Sequence, residues 1–188
     1  MNMNKVQNKK EKKKSTLDPD SPNLRQALQS DDHNEWITAI QKELEQLELE
    51  KIWVIVATVP EYARDKIIPS HITLLKKRLA DGTLDKYKAR LVAGGHRQVC
   101  EDYSVTTSPT ARATSVKLLF SIAAKTGMHT RTFGVKGAYL KANIEEEVYM
   151  ILPKFNNNEP NKYVKLIKNL YGLKTAGAAW YKHLIQHC

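Results

Sequence analysis

Four cationic side chains are spaced so that one face of a two-stranded ribbon would carry them all. Extended segments flank Asp-Gly at 81–82, a strong signal for a β-hairpin with a two-residue loop. Because side chains alternate along a strand, Lys77, Lys86, Lys88 and Arg90 are predicted to share a face. Such a face favours a phosphate-bearing ligand. The open alternative is a solvated basic face that protects an exposed strand from aggregation.

The two-residue loop also fixes the register of the predicted hairpin. The predicted cross-strand pairs are Ala80 with Thr83, Lys77 with Lys86, Leu75 with Lys88, and Arg78 with Asp85. The last pair would join opposite charges, which stabilises antiparallel pairing.

Other pairs with ligand-like spacing are weaker candidates. His183 and His187 stand four residues apart on a predicted helix, but no third ligand is close in the sequence, so a solvent-facing or core-edge pair is favoured over a metal site. Cys100 and Cys188 have no metal or redox spacing. Two such cysteines suit a reducing intracellular compartment, the cytoplasm or the nucleus.

Helices and strands that would position these residues follow one another irregularly. Helices are predicted near 21–30, from Asp32 with Glu35 at the capping-box position, over 114–127, and from Leu173 onward. Strands are predicted at 52–59, in the two hairpin arms, from 131, at 145–153 and at 163–170. This order predicts the α+β class rather than a doubly wound parallel sheet.

Two of the helices have an apolar face that is predicted to be buried. The first face consists of Trp36, Ile37, Ile40, Leu44 and Leu47. The second consists of Ala176, Ala179, Trp180 and Leu184.

The net charge of +10 is unusual for a chain with ordinary hydrophobic content. Residues 1–14 hold six lysines and one glutamate, so they supply half of it. We predict a disordered Lys-rich tail at 1–21 and one domain at 22–188. A basic tail beside a basic body suggests nucleic acid as partner. A solvated tail or a nuclear-import-like cluster is the alternative for the tail alone. No apolar run is long enough to span a membrane.

The stretch RTFGVKGAYL, residues 131–140, is apolar and contains no acid. It is predicted to be a strand that runs into a glycine-containing turn. A glycine inside a strand pattern, here Gly134, marks a bulge, a close backbone approach or a lost functional side chain.

Several linked blocks resemble the reverse transcriptase domain of copia-type retrotransposon polyproteins. In chain order they are EWITAIQKELEQLELEKIWVIV, YKARLVAGG, EDY with TTSPTA, SVKLLFSIAA, VKGAYLKANIEEEVYMILP and LIKNLYGLKTAGAAWY. The resemblance runs from about residue 22 to the end of the sequence. It implies a partial right-hand polymerase, with fingers and an incomplete palm.

The resemblance also implies a nucleotide site. Lys77, Lys88 and Arg90 would meet the triphosphate from the fingers hairpin. In VKGAYL, the backbone amides of Gly137 and Ala138 would contact the triphosphate, and Tyr139 would lie beneath the sugar. Template–primer nucleic acid is the implied partner, with a deoxynucleotide as the small ligand.

The family's two Mg²⁺ ions are held by aspartates, the first of which would stand where this sequence has Gly134. No YxDD-like stretch follows, and the glutamates at 145–147 are not expected to replace the missing ligands. Thr175, Gly177 and Ala178 also depart from the family pattern. We therefore expect a truncated domain that holds no metal and lacks polymerase activity. The alternative is a non-catalytic nucleic-acid-binding module.

Overall fold

A computed structural model of the chain describes residues 18–99, 106–155 and 158–187. Within these ranges its helices are α1 (Leu24–Leu28), α2 (His33–Leu49), α3 (Ala113–Thr126), α4 (Ala138–Lys141) and α5 (Ala176–His187). Its strands are β1 (Trp53–Val56), β2 (Ser70–Arg78), β3 (Leu84–Ala93), β4 (Tyr149–Ile151) and β5 (Tyr163–Leu166). Short 3₁₀ turns cover Glu61–Lys66 and Gly95–Arg97. This mixture of helices and antiparallel strands confirms the predicted α+β class.

The strands form two antiparallel sheets. β5 is the central strand of a three-stranded sheet in the order β1–β5–β4, and β2 pairs with β3 as a hairpin. A parallel bridge between Ile68 and Met150 connects the start of the hairpin to β4. The two hydrogen bonds of this bridge, from Ile68 N to Tyr149 O and from Ile151 N to Ile68 O, are both 3.0 Å long. The hairpin therefore extends from the edge of the larger sheet.

One main apolar core joins α2 to both sheets. Trp36, Ile40 and Leu47 of α2 are buried, and the Trp36 ring meets the Tyr87 ring edge-on at 4.7 Å between centroids. The core side of the hairpin consists of Ile72, Leu74, Ala89, Leu91 and Ala93, all buried. Burial of such side chains is the main stabilising contribution to the fold. The opposite face of the hairpin is left for polar side chains.

Two of the predicted buried faces need correction in detail. Ile37 is 38% exposed, whereas Leu44 is partly buried against the core. On α5, Ala176 and Ala178 are the buried residues. Ala179, Trp180 and Leu184 of the predicted face are only partly buried.

The two-residue hairpin loop is wrong, although the register behind it is confirmed. Lys77 pairs with Lys86 and Leu75 with Lys88 as predicted, but the register shifts after Lys77. The Asp81 carboxylate accepts hydrogen bonds from Thr83 N at 2.9 Å and from Thr83 Oγ1 at 2.6 Å. This side-chain turn stabilises a longer loop that ends in the hydrogen bond from Leu79 N to Thr83 O, 2.9 Å.

The predicted pair between Arg78 and Asp85 is also wrong. After the register shift Arg78 lies opposite Leu84, and its guanidinium donates to both carboxylate oxygens of Asp20, at 2.6 and 2.8 Å. Asp85 instead pairs with Lys77 at 3.4 Å.

Residues 18–21, which were predicted to be the end of the tail, form a turn that contacts β2. The rest of the predicted tail, residues 1–17, and both cysteines, Cys100 and Cys188, lie outside the described residues.

Asp32 is at the N-cap of α2, but the predicted capping box with Glu35 does not form. The Asp32 side chain makes no cap hydrogen bond and accepts one from Lys76 Nζ instead. This hydrogen bond lowers the pKa of Asp32. The Asp32 backbone, with φ of −86° and ψ of 18°, lies outside the extended region that a capping residue usually adopts, which explains the difference. The capping box of the structure belongs to α1, between Asn23 and Gln26.

The strand predicted from residue 131 is not formed. Residues 128–135 have no regular secondary structure, and Phe133 is 91% exposed. A strand needs a hydrogen-bonded neighbour, and the part of the chain that the structure describes places none beside this segment. The preceding helix α3 is apolar. Of the described residues in this helix, Ala123 alone is buried.

The strands of the three-stranded sheet are shorter than the segments predicted for them. β1 takes four residues of 52–59, β4 three of 145–153, and β5 four of 163–170. Within the described ranges no helix has the length and apolar character needed to cross a bilayer.

Candidate functional site

An open groove of about 520 Å³ lies between α2, β3 and the segment 135–140. Fourteen residues line it, and five of them are cations. These are Lys42, Lys86, Lys88, Arg90 and Lys136. We call this feature the basic groove. The groove brings together three parts of the chain that lie at least forty residues apart in sequence.

The pleat of β3 places three of the cations in the groove. Lys86, Lys88 and Arg90 alternate with residues on the opposite face, where Ala89 and Leu91 are buried. Lys77 is opposite Lys86 in the register, but it does not line the groove and pairs with Asp85. The predicted common face is therefore present, and three of its four cations border the cavity.

The cations are close enough to perturb one another. Burial lowers the pKa of Lys88, and the neighbouring charges of Arg90, Lys86 and Lys77 lower it further. Both effects disfavour the charged form of the lysine, as expected for like charges that share a partly dehydrated surface. An anion in the groove would relieve this repulsion.

Glu43 is the one carboxylate among the lining residues. It projects from α2 toward the edge of β3 that faces away from β2, where its Oε1 accepts a hydrogen bond from Leu91 N at 3.3 Å. Burial raises the pKa of Glu43, while this hydrogen bond and the charges of Arg90, Lys88 and Lys136 act in the opposite direction. Sequence reasoning missed Glu43, because its helical spacing alone gives no sign of the groove.

Aromatic rings support the Arg90 end of the groove. The Arg90 guanidinium lies 5.1 Å from the centroid of the Tyr171 ring, and the Tyr139 ring meets Tyr171 at 6.0 Å. Cation–π contact of this kind restrains the arginine while leaving its donors available. Tyr171 was also missed from sequence, although it stands inside one of the blocks that carry the family resemblance.

A close backbone approach fixes Tyr171 beside β3. The Ala93 amide donates to Tyr171 O at 2.7 Å, and Gly172 follows with φ of 91°. A Cβ at Gly172 would come within 2.2 Å of Ala93 O, so only glycine fits there.

The three predicted residues of the 137–139 turn are near the groove in different ways. Gly137 lines it with φ of 64° and begins α4 through the hydrogen bond from Leu140 N to Gly137 O, 2.8 Å. Ala138 is half-buried and does not line the groove. Tyr139 reaches the site through its ring contact with Tyr171. The predicted roles of these residues toward a triphosphate and a sugar stay predictions.

Gly134 is exposed, and a Cβ built on it would meet no atom within 4 Å. The space for an aspartate is present, so the glycine is not required by packing. In the printed sequence no acid occurs between Asp102 and Glu145.

The residues at the groove do not fit a pair of Mg²⁺ ions. Magnesium is held by carboxylate oxygens, whereas the groove offers Glu43 alone among five cations. Among the described residues no group of three or more His, Cys, Asp or Glu side chains is placed to bind a metal ion.

Glu145, Glu146 and Glu147 are engaged away from the groove. Glu145 pairs with Lys182 at 3.2 Å, and Glu146 accepts a hydrogen bond from Gln98 at 3.1 Å. The carboxylate of Glu147 accepts hydrogen bonds from Tyr62, at 2.6 Å, and from Lys165.

The histidine pair forms no metal site in the described part of the chain. The His183 and His187 rings lie 4.3 Å apart between centroids, and His187 Nδ1 is 2.8 Å from His183 O. Two positions that depart from the family pattern lie in packed surroundings. Oγ1 of Thr175 accepts a hydrogen bond from Nε2 of the buried Gln98 at 3.4 Å, and Ala178 is buried.

Comparisons with known proteins agree on one family. A family model described as reverse transcriptase (RNA-dependent DNA polymerase) matches residues 50–187. The retrovirus-related Pol polyprotein from transposon RE1 of Arabidopsis thaliana is 39% identical over 126 residues, which are 62% of this chain and 9% of that protein. Its RE2 counterpart is 32% identical over 85% of this chain and 11% of its own length. The Ty1-BL Gag-Pol polyprotein of Saccharomyces cerevisiae is 35% identical over 81% of this chain and 9% of its own length. The chain therefore spans about a tenth of these relatives.

Proposed function

Because the chain belongs to the reverse transcriptase family of copia-type retrotransposon polyproteins, we propose that it binds nucleic acid and polyphosphate without itself catalysing DNA synthesis. In this proposal the β2–β3 hairpin is part of the fingers, and the three-stranded sheet with α5 is part of the palm. The tail at 1–21 and the domain at 22–188 stay predictions, except that the turn at 18–21 contacts β2 and so belongs with the domain.

The basic groove is the observation that carries the proposal. Five cations and one carboxylate surround a space of about 520 Å³. A net positive, partly dehydrated cavity concentrates anions, and arginine beside lysine suits the phosphate groups of a nucleic acid or a nucleotide. Arg90, supported by the Tyr171 ring, is the best placed donor for a bidentate phosphate contact.

The shortage of carboxylates among the described residues of the groove supports the second half of the proposal. Two-metal phosphoryl transfer requires acidic side chains that hold both ions beside the reacting groups. Gly134 supplies none, and Glu43 faces the cations of the groove. The described residues of the groove are suited to bind and orient phosphates, but they do not provide the negative charge needed to hold two divalent cations.

Primer extension tests the catalytic half. The full chain, incubated with an RNA template, a DNA primer, deoxynucleotides and Mg²⁺ or Mn²⁺, is expected to extend no primer. Gly134→Asp is expected to remain inactive, because one restored carboxylate cannot complete a two-metal site. Template-dependent synthesis by the unaltered chain would overturn the proposal.

Binding of a labelled primer–template hybrid tests the other half and separates the groove from the tail. Deletion of residues 1–14 removes half of the net charge and is expected to weaken binding without abolishing it. If binding disappears with the tail, the tail alone is responsible and the groove has no such role.

A further inference from the structure

Glu43 is anomalous in a cavity whose other charged lining residues are all cations. An acid on an exposed helix face could turn to solvent, but Glu43 is half-buried and its Oε1 is held by the Leu91 amide at 3.3 Å. That hydrogen bond satisfies a donor on the edge of β3 that β2 leaves unpaired. The carboxylate is thereby fixed at the wall of the groove.

Charged and titratable groups face Glu43 from each element that borders the groove. They are Lys42 on α2; Lys86, Tyr87, Lys88 and Arg90 on β3; Lys136 beside the start of α4; and Tyr171. Among these, Arg90, Lys88 and Lys136 act electrostatically on the carboxylate itself. In the part of the chain that the structure describes, no salt bridge within 4.0 Å joins Glu43 to any of them. Glu43 therefore offsets their charge through space rather than by pairing with one of them.

A fixed carboxylate has opposite effects on the empty and the occupied groove. In the empty groove it reduces repulsion among the cations. When a polyphosphate enters, the same negative charge repels the ligand, and it does so at short range in a partly dehydrated site where screening is weak. Affinity then depends on whether Glu43 is ionised.

We propose that Glu43 is a resident counter-anion that limits the affinity of the basic groove for polyphosphate and makes this affinity pH-dependent. The inference rests on the proposed function, since it concerns the same groove. It adds a regulatory role for a residue that the family comparison does not assign. Burial raises the pKa of Glu43, so its charge is lost at a higher pH than that of an exposed glutamate.

Titration calorimetry with inorganic tripolyphosphate at constant ionic strength tests the proposal on the full chain. Glu43→Gln keeps an oxygen that can accept from Leu91 N but removes the charge, and it is expected to bind tripolyphosphate about threefold to tenfold more tightly at pH 7.5. The ratio of the two affinities is expected to fall as pH is lowered from 7.5 and Glu43 begins to be protonated. The probe also loses charge as pH falls, which by itself lowers the ratio. Proton uptake on binding separates the two effects, because protonation of Glu43 makes this uptake larger in the unaltered chain than in Glu43→Gln.

Glu45→Gln is the matched control, because Glu45 is exposed on the same helix and does not line the groove. It is expected to change affinity by less than about twofold at either pH. Circular dichroism and the thermal midpoint of each variant show whether the fold is retained.

The outcomes separate this inference from the proposed function. If the unaltered chain binds tripolyphosphate and Glu43→Gln binds equally or more weakly at pH 7.5, the counter-anion role is wrong while the groove remains an anion site. A ratio above one that does not change with pH also overturns it. If neither protein binds tripolyphosphate, the polyphosphate function and this inference both fail.

Discussion

Arg90 and Tyr171 illustrate how single residues orient a candidate phosphate-binding group at the groove. The guanidinium lies 5.1 Å from the ring centroid, so one face of the arginine is occupied and its edge is left for a ligand. The ring in turn depends on Gly172, whose backbone lies against Ala93. A change at Tyr171 or Gly172 is therefore expected to alter the orientation of the arginine rather than the number of charges.

At this scale we predict a difference between two substitutions of Tyr171. Tyr171→Leu removes the ring and is expected to weaken hybrid binding about twofold to fivefold, the usual contribution of an exposed cation–π contact. Tyr171→Phe keeps the ring and is expected to bind within about twofold of the unaltered chain. Fluorescence anisotropy measures both, and equal losses in the two variants would show that the ring does not support Arg90.

At the scale of elements, the Glu61–Lys66 turn is tied to the three-stranded sheet by one carboxylate. Glu147 accepts hydrogen bonds from Lys165 of β5, from Tyr62 of the turn and from Tyr149 of β4. These bonds lower the pKa of Glu147 to about 2, and the bond to Glu147 raises the pKa of Tyr62 to about 12. The network thus joins three elements through charge.

The sign of the pH dependence follows from these shifts. The pKa of Glu147 is lower in the folded than in the unfolded chain, so its stabilising contribution is complete above about pH 4.5 and is lost as pH falls toward 2. The thermal midpoint of the unaltered chain is expected to fall over this range more steeply than that of Glu147→Gln. Parallel curves for the two proteins between pH 5 and 2 would contradict this.

Among these elements, the hairpin register could be predicted from the sequence, whereas the hairpin loop and the structure of residues 131–135 could not. The hairpin register was predictable because alternation and the Asp-Gly signal are local, and Lys77 indeed faces Lys86. The loop was not predictable, because the Asp81 side chain accepts a hydrogen bond from Thr83. In addition, Arg78 donates to Asp20, which is more than fifty residues away in sequence. Residues 131–135 have the apolar alternation of a strand, but a strand also requires a neighbour, which no local pattern supplies.

At the scale of the whole molecule, the α+β class and the family were predictable, whereas the composition of the groove was not. The class follows from the order of local patterns, and the family from linked blocks that span most of the chain. The groove arises where α2, β3 and the start of α4 meet, so Glu43 and Tyr171 became candidates only with the tertiary structure. Lys77, predicted as a ligand-binding residue, lies on the expected face but outside the cavity.

The overall positive charge makes one comparison especially informative. A chain with net charge +10 is expected to attract nucleic acid nonspecifically through any exposed cations, so affinity alone would not identify the groove. The variant Lys86→Ala, Lys88→Ala, Arg90→Ala removes three groove cations. The variant Arg25→Ala, Arg64→Ala, Lys125→Ala removes three exposed cations elsewhere and is its matched control.

The salt dependence of hybrid binding by the unaltered chain, the groove variant and the control variant tests the central claim most directly. If phosphates lie in the basic groove, the groove variant loses about two units from the slope of log affinity against log salt concentration, while the control variant changes that slope by less than one unit. Equal slopes for the groove variant and the control would contradict the account, because the groove would then contribute no more than any other cations on the surface.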